Sequence, residues 1–193
     1  MPTRPTPATI TGSRVYLRPP HLRDAARFVA AVRDSHALHG PWTRPPETRA
    51  RFAAFVARFA RRTAPATHAG YLVLRREDDA LVGVFNFSEI VRGSFQSTYL
   101  GYYAFAPHAG NGYMAEGMAL ALDVAFARLK LHRVEVNVQP TNARSLKLAE
   151  RVGFTREGFS RRYIKIAGRW RDHVRFAMLA EDWRTLRRDW RRP

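Results

Sequence analysis

One stretch of the chain constrains its fold more than any other. Between residues 97 and 139, a strand pattern, a turn rich in glycine, a helical pattern and a second strand pattern follow one another. Ser97–Phe105 is rich in β-forming residues, apolar residues recur at helical spacing from Met114 to Leu129, and Arg133–Gln139 alternates valine with polar residues. We expect the helix to end near Lys130. A strand, a crossover helix and a second strand predict a parallel pair joined by a right-handed connection.

The turn that opens this helix carries the first functional signal. Gly110 and Gly112 flank Asn111, and two glycines at a strand-to-helix junction can turn successive backbone N–H groups toward an anion such as a pyrophosphate. Glycines serve equally as turn residues, so the spacing alone leaves a structural role open. The turn lacks the Gly-Lys-Ser/Thr of a Walker loop and the third glycine of a dinucleotide-binding fingerprint.

Shorter patterns surround this region. A strand is expected at 14–18, two amphipathic helices at 22–32 and 52–59, and a break rich in proline and glycine at 39–46. Three β-rich runs predict an antiparallel meander: Tyr71–Arg75, Ala80–Phe87 and Ser97–Phe105. After the second parallel strand we expect a short helix over Ala143–Arg151, with Asn142 as N-cap and Gly153 as stop, and a hairpin across Ala167–Gly168.

Composition narrows the class of protein. The 193 residues are expected to form a single domain over 1–193, with a flexible leader at 1–12 and a basic tail at 184–193. The absence of cysteine excludes thiol catalysis, cysteine-ligated zinc and disulfides, and no metal site is expected. No run of 18 apolar residues occurs, so we expect a soluble cytoplasmic protein without membrane contact. The net charge of +17 favours encounters with polyanions such as coenzymes or RNA.

Several motifs together carry a family resemblance. They are Leu100-Gly101-Tyr102, the run from Gly110 to Glu116, Leu131-His132-Arg133, the run from Pro140 to Ser145, Gly153-Phe154 and Glu157-Gly158. With them the chain resembles the GNAT acyltransferase superfamily. Within it, the run from Gly168 to His173 and the Asn86-Phe87-Ser88 strand make the chain most similar to the ribosomal-protein-alanine N-acetyltransferases. The similarity extends from about residue 12 to Trp183.

The resemblance implies a fold and a cofactor. The fold would be an α/β arrangement with a mixed, mostly antiparallel sheet, splayed between two parallel central strands and flanked by helices. Acetyl-CoA would lie in the split, with its pantetheine paired to the backbone of Ala104 and Phe105. Its pyrophosphate would bind the backbone amides of Gly110, Asn111, Gly112, Tyr113 and Met114. Ala109 stands where the family usually has Arg or Gln, and Met114 where it usually has Gly or Ala.

The resemblance also implies candidate proton donors and coenzyme contacts. Ser145 matches the position from which family members donate a hydrogen bond or proton to the coenzyme sulfur, but it is equally an ordinary serine of a first helical turn. Asn142 resembles a coenzyme-contacting residue and is also the expected N-cap. Tyr163 in the final hairpin is a second candidate donor, against the alternative that it packs across the strands.

The candidate base is less clear. Asn137 occupies the strand face where related N-terminal acetyltransferases carry a glutamate, and an amide cannot remove a proton. Glu135 lies two residues earlier on the same face and is a candidate base acting through water, although strand glutamates are more often paired. An α-amino group with a pKa of about 7.7 is partly neutral at pH 7, whereas a lysine near 10.4 is almost fully charged. A site without a strong base therefore suits an N-terminal amine.

Three functions remain open at this point. The leading one is acetyl-CoA-dependent acetylation of the N-terminal α-amine of a protein, in particular a ribosomal one, by direct attack on the thioester. The second keeps the chemistry but uses a small amine such as an amino acid, polyamine or aminoglycoside. The third is a silent module that binds RNA or ribosomes. Arginines in the last hairpin and the tail either contact ribosomal RNA or form a solvated surface, and the oligomeric state stays open.

Overall fold

The computed structural model describes residues 9–60 and 66–190 of the chain. The strands are β1 Ile10–Thr11, β2 Val15–Arg18, β3 Ala69–Arg75, β4 Leu81–Val91, β5 Ser97–Ala104, β6 Arg133–Val138, β7 Thr155–Ile166 and β8 Arg169–Leu179. The helices are α1 Ala25–Asp34, α2 His36–His39, α3 Arg49–Ala60, α4 Tyr113–Asp123, α5 Ala143–Val152 and α6 Ala180–Trp190. Short 3-10 turns at Leu22–Asp24 and Ala106–His108 precede α1 and α4. None of the helices in these residues is long and apolar enough to cross a membrane.

All eight strands join one sheet in the order β1-β2-β3-β4-β5-β6-β8-β7. Strands β5 and β6 run parallel, and every other neighbouring pair runs antiparallel. The parallel pair follows from the connection through α4, which returns the chain to the same end of the sheet. The predicted meander and the predicted mixed, mostly antiparallel sheet are both confirmed.

The two parallel strands part soon after they meet. Ser97–Tyr99 of β5 pairs with Arg133–Glu135 of β6, and the ladder then stops, although β5 runs on to Ala104 and β6 to Val138. A gap therefore opens between their carboxyl ends. The expected splay of the sheet is confirmed, and its position is fixed by the last pair, Tyr99 with Glu135.

The sheet is covered on both faces. Helix α4 packs on one face, where Met118, Leu122 and Phe85 have no solvent exposure. On the other face Phe28 of α1 and Phe52 of α3 pack against strand residues and are also fully buried. This second helical layer lies over β3 and β4 and leaves the face near the gap less covered.

The long central helix differs slightly from its predicted length. Regular α-helix ends at Asp123, and a π-helical turn over Val124–Arg128 continues it, with the Leu129 N–H donating to the Val124 carbonyl. The expected apolar stripe is buried at every position except Leu129, which is half-buried. The buried members are Met114, Met118, Ala121, Leu122 and Ala125.

Both ends of the described chain are more ordered than the sequence predicted. Ile10–Thr11 forms strand β1 within the expected leader, of which residues 1–8 lie outside the described residues. The expected basic tail belongs to helix α6 as far as Trp190; residues 191–193, with Arg191 and Arg192, lie outside the described residues. Trp183 anchors this helix, because it is 3% exposed and its indole N–H donates to Asp123 over 2.9 Å. The many arginines of α6 made its amphipathic pattern hard to recognise in the sequence.

A glycine on β4 explains how Met114 fits at the start of α4. A Cβ atom added to Gly83 would lie 2.5 Å from the Met114 sulfur and 2.7 Å from the Tyr103 carbonyl oxygen. Met114 itself is only 9% exposed. The large side chain at this family position is therefore accommodated by the missing side chain on the neighbouring strand.

We expect Gly83→Ala to destabilise the protein by about 1–3 kcal/mol, as overpacking of a filled core does. One of the two close atoms belongs to the backbone and cannot move aside cheaply. Gly101→Ala is the matched control, because a Cβ there would meet nothing nearer than 4.0 Å. Urea denaturation measures both variants, and equal stabilities would contradict this account of the packing.

Candidate active site

The glycine turn lies at the carboxyl end of β5 and opens α4. Gly110 has φ 88° and Gly112 has φ 79°, values that residues with a side chain rarely adopt. Within the described residues, no hydrogen-bond acceptor is found for the N–H groups from Gly110 to Met114. Because these amides sit at the positive end of the α4 dipole, the geometry of the turn favours an anion, and binding of one here stays a prediction.

Arg14 supports this turn, and the sequence analysis missed it. Its Nη1 donates to the Asn111 carbonyl over 3.2 Å, and its guanidinium lies 5.1 Å from the centre of the Tyr113 ring. Glu116 fixes the side chain through an ion pair of 3.1 Å. The sequence shows no cation at Ala109, but the fold brings one to the turn from the residue that precedes β2. Only the tertiary structure reveals this placement.

The two residues expected to pair with pantetheine, Ala104 and Phe105, differ in the direction of their backbone N–H and C=O groups. The Phe105 N–H donates to Val82 over 2.8 Å, and the Phe105 carbonyl accepts from His108 over 3.2 Å. Because backbone groups alternate along a strand, the N–H and C=O of Ala104 point the other way, into the gap. The Ala104 carbonyl accepts a hydrogen bond of 2.9 Å from His39 Nε2. Of the two residues, Ala104 therefore carries the backbone edge that faces the split.

A crossing segment, residues 35–42, runs beside the gap from β5 to the end of β6. Ser35 Oγ accepts from the Ala106 N–H over 2.8 Å, and Gln139 Nε2 lies 3.5 Å from the Trp42 carbonyl. Ser35 and His39 are buried, with 0% and 5% exposure. Burial lowers the pKa of His39, an effect that its bond to Ala104 opposes only in part, so the imidazole is neutral at pH 7. The sequence predicted only a break over part of this segment.

Helix α5 brings Asn142 and Ser145 to the same gap. Asn142 Oδ1 accepts from the Ser145 N–H over 3.2 Å, which confirms the predicted N-cap. The Tyr102 hydroxyl donates to the Ser145 carbonyl over 3.2 Å and so ties β5 to α5. Burial raises the pKa of Tyr102 well above its usual value, so this hydroxyl keeps its proton. The Ser145 side chain is half-buried at the start of the helix.

The other candidates lie on the face of the sheet opposite α4 and α5. Glu135 accepts from Arg133 Nε over 2.9 Å, and it pairs in the β5–β6 ladder with Tyr99. The Tyr163 hydroxyl lies 3.3 Å from that of Tyr99. This hydrogen bond, with a smaller effect of burial, raises the pKa of Tyr99 to about 12. Asn137 follows two residues after Glu135, beyond the end of the ladder.

The candidate residues therefore lie on two different sides of the gap. Asn142 and Ser145 lie at the α5 end of the gap, whereas Glu135, Asn137 and Tyr163 lie on the opposite face, which we call the open face. Candidate residues therefore border the gap on both sides. In the described part of the chain, no group of three His, Asp or Glu residues is placed to hold a metal ion. The arrangement suits transfer of an activated group to a nucleophile.

Comparisons with known proteins agree with this geometry. Residues 14–155 match the family described as acetyltransferase (GNAT) domain. The probable N-acetyltransferase YjcK of Bacillus subtilis is 40% identical over 110 residues, which cover 57% of this chain and 61% of that protein. The [ribosomal protein uS5]-alanine N-acetyltransferase of Escherichia coli is 40% identical over 107 residues, or 55% of each protein. The chain thus spans less than two thirds of these curated relatives.

A solved structure extends the similarity over almost the whole chain. Mycobacterium smegmatis RimJ, in complex with CoA-disulfide, superposes with a TM-score of 0.85 at 25% identity, covering 96% of both chains. The fold, the position of the split and the family match all agree with the resemblance seen in the sequence. The chain belongs to the acetyltransferase (GNAT) domain family.

Proposed function

We propose that the protein is an acetyl-CoA-dependent N-acetyltransferase that acetylates the N-terminal α-amine of a protein, in particular a ribosomal one. The observation that carries this proposal is the gap between β5 and β6, which begins at Tyr99 and Glu135 and has an anion-binding turn at its end. Two relatives support it: RimJ was solved with CoA-disulfide, and the Escherichia coli enzyme is named for an alanine of ribosomal protein uS5.

The residues present fit the coenzyme. The free amides from Gly110 to Met114 would hold the pyrophosphate, with Arg14 adding a cation beside the turn. The Ala104 edge would pair with pantetheine, and Asn142 and Ser145 would line the sulfur end. Phe105 would contribute through its position next to Ala104, since its own backbone groups are bonded within the fold.

The chain's own residues divide the chemistry between the two sides of the gap. When bound, acetyl-CoA supplies an activated acetyl thioester. The half-buried Ser145 hydroxyl is a competent donor for the departing sulfur, and the Asn142 cap fixes the turn that carries it. Tyr163 is a weaker candidate donor because its hydroxyl lies next to that of Tyr99. Glu135 is tied to Arg133, so it would accept a proton only through water.

The charges on the open face favour an N-terminal amine over a polyamine. Arg175 lies opposite Asn137 in the β6–β8 ladder, and the one nearby carboxylate among the candidates, Glu135, is already paired. Arg133 is shared between Glu135 and Glu157, and together with Arg175 it leaves these two carboxylates without net negative charge for a polycation. An α-amine needs none, because a useful fraction is already neutral at pH 7.

We infer that exposed cations on the last hairpin bring the enzyme to ribosomes. Arg161, Arg162, Lys165 and Arg169 are exposed on the β7–β8 hairpin, and Trp170 beside them is 60% exposed. Cations with an exposed aromatic ring suit contact with an RNA backbone and bases. A ribosomal acceptor would also place the enzyme in the cytoplasm.

An acceptor panel tests the central proposal. With acetyl-CoA, a peptide that begins with alanine should release CoA and gain one acetyl group on its α-amine. The same peptide with a blocked N-terminus and an internal lysine should react far more slowly, because about 99.9% of lysine side chains are protonated at pH 7. Mass spectrometry locates the acetyl group. Faster acetylation of spermidine or an aminoglycoside would establish the small-amine function instead, and no reaction with any amine would favour the silent module.

Replacing Arg14 tests the coenzyme site. Arg14→Met should weaken CoA binding about tenfold, since the loss of one charge-assisted hydrogen bond is worth about 1.5 kcal/mol or more. Isothermal titration calorimetry gives the dissociation constant. Arg58→Met, at an exposed position of α3, removes the same charge away from the turn and should leave CoA binding unchanged. Equal weakening in both variants would mean that only the overall charge matters.

Ribosome binding is expected to depend steeply on salt. Co-sedimentation with ribosomes should be seen at 50 mM salt and largely lost at about 200 mM, as counterion release requires. Changing Arg161, Arg162 and Arg169 to Gln should reduce binding at the lower salt concentration. If the wild type fails to co-sediment even there, the RNA contact is wrong, although the acetyltransferase proposal is unaffected.

A further inference from the structure

We propose that Asn86, Tyr103 and Asn137 form an amine cradle on the open face, which binds the N–H groups of the neutral acceptor amine above Gly101. This inference rests on the proposed function and adds the residues that hold the acceptor. Asn86 and Tyr103 were not candidates in the sequence, and Asn137 was considered there only in place of a missing base.

Strand register brings the cradle residues together. Asn86 is paired with Gly101 across β4 and β5. Tyr103 lies two residues beyond Gly101 on β5, so both face the same side of the sheet. On β6, Asn137 lies two residues beyond Glu135, the last ladder partner of Tyr99, and shares its face. Asn86 and Asn137 thus approach Gly101 from opposite sides, and Asn137 does so across the gap.

Gly101 forms the exposed base of the amine cradle. It is exposed, and a Cβ atom added there would have only the Asn86 carbonyl as a neighbour, at 4.0 Å. Tyr99 and Tyr103 flank it on the same face, two residues away in each direction. The strands leave a depression between two tyrosines where an ordinary side chain would have stood. Its place at the start of the split puts it next to the expected thioester.

Three side-chain oxygens on this face of β4, β5 and β6 lack partners. Asn86 Oδ1, Asn137 Oδ1 and the Tyr103 hydroxyl are shielded from solvent, and no hydrogen-bond partner is found for them among the described residues. Leaving such a group unpaired costs about 1–3 kcal/mol. Three such groups on neighbouring strands of one face indicate a position that a ligand with N–H donors completes.

The chemistry of the cradle selects a neutral amine. Two amide oxygens and a hydroxyl accept hydrogen bonds but carry no charge, so they do not stabilise an ammonium as a carboxylate would. Arg175, opposite Asn137, opposes a second positive charge, and Glu135 is occupied by Arg133. A neutral primary amine can direct its two N–H bonds to two of the three oxygens and keep its lone pair free for the thioester carbon. The cradle thus positions the acceptor amine in a site that lacks a base.

Other titratable groups near the cradle leave this selection unchanged at neutral pH. Burial raises the pKa of Tyr103 well above its usual value, and the pKa of Tyr99 is raised to about 12. Burial lowers the pKa of His39, whose ring lies 5.4 Å from that of Tyr103, and also that of His173, next to Tyr163. The tyrosines therefore stay protonated and both imidazoles stay neutral. Between pH 7 and 9 we expect kcat/KM to follow the titration of the acceptor's own amine.

Leucine substitutions separate a binding role from a structural one. Asn86→Leu and Asn137→Leu should each raise the KM for a peptide that begins with alanine at least tenfold. The CoA dissociation constant should stay unchanged. Because each change removes a buried amide oxygen that lacks a partner, the melting temperature should hold or rise. Loss of acceptor binding without loss of stability is the result that a merely structural role would not give.

Ser88→Ala is the matched control, because Ser88 shares the strand and face of Asn86 but lies two residue pairs further from the gap, opposite Tyr99. Its KM should equal that of the wild type. If the wild type acetylates peptide α-amines and both leucine variants keep its KM, the cradle is wrong and the proposed function stands. If the wild type acetylates no amine at all, both fall. A drop in melting temperature that parallels the loss of activity would also overturn the cradle.

Discussion

The early end of one parallel ladder governs the whole site. Only three residue pairs join β5 to β6, the last being Tyr99 with Glu135. Past that pair, the inner edges of both strands need other partners, because buried backbone groups are rarely left unpaired. His39 satisfies the Ala104 carbonyl, and Tyr102 reaches across to helix α5. The split is thus maintained by side chains on either side, and these same side chains surround the place where group transfer is proposed.

Two departures from the family pattern are compensated from distant parts of the chain. Ala109 supplies no cation to the glycine turn, but Arg14 reaches the turn from the start of β2. Met114 is large for the first turn of α4, but Gly83 on β4 leaves space for it. Each compensation joins residues far apart in sequence. A local sequence motif shows such a departure, but it does not show the distant residue that compensates for it.

The sequence therefore predicted the fold more fully than the site. Alternating valines, helical stripes and glycine stops report local geometry, and they located the central strands, α4, α5 and the turn that begins with Gly110. Helix α6 was missed because its arginines hid the apolar spacing that places Trp183 in the core. Tyr103 and His39 carry no local signal, and Asn86 stood out only as part of a family motif. Their roles depend on strand register and on the path of residues 35–42, which arise only when the sheet assembles.

The imidazole of His39 contacts both the edge proposed for pantetheine, at Ala104, and the proposed amine cradle, at Tyr103. Its Nε2–H occupies one lone pair of the Ala104 carbonyl, and its ring edge lies against Tyr103, 5.4 Å between centroids. A pantetheine amide arriving at that carbonyl must either take the second lone pair or displace the ring. One side chain would thus separate the edge proposed for pantetheine from the proposed amine cradle, to which its neighbour Tyr103 belongs.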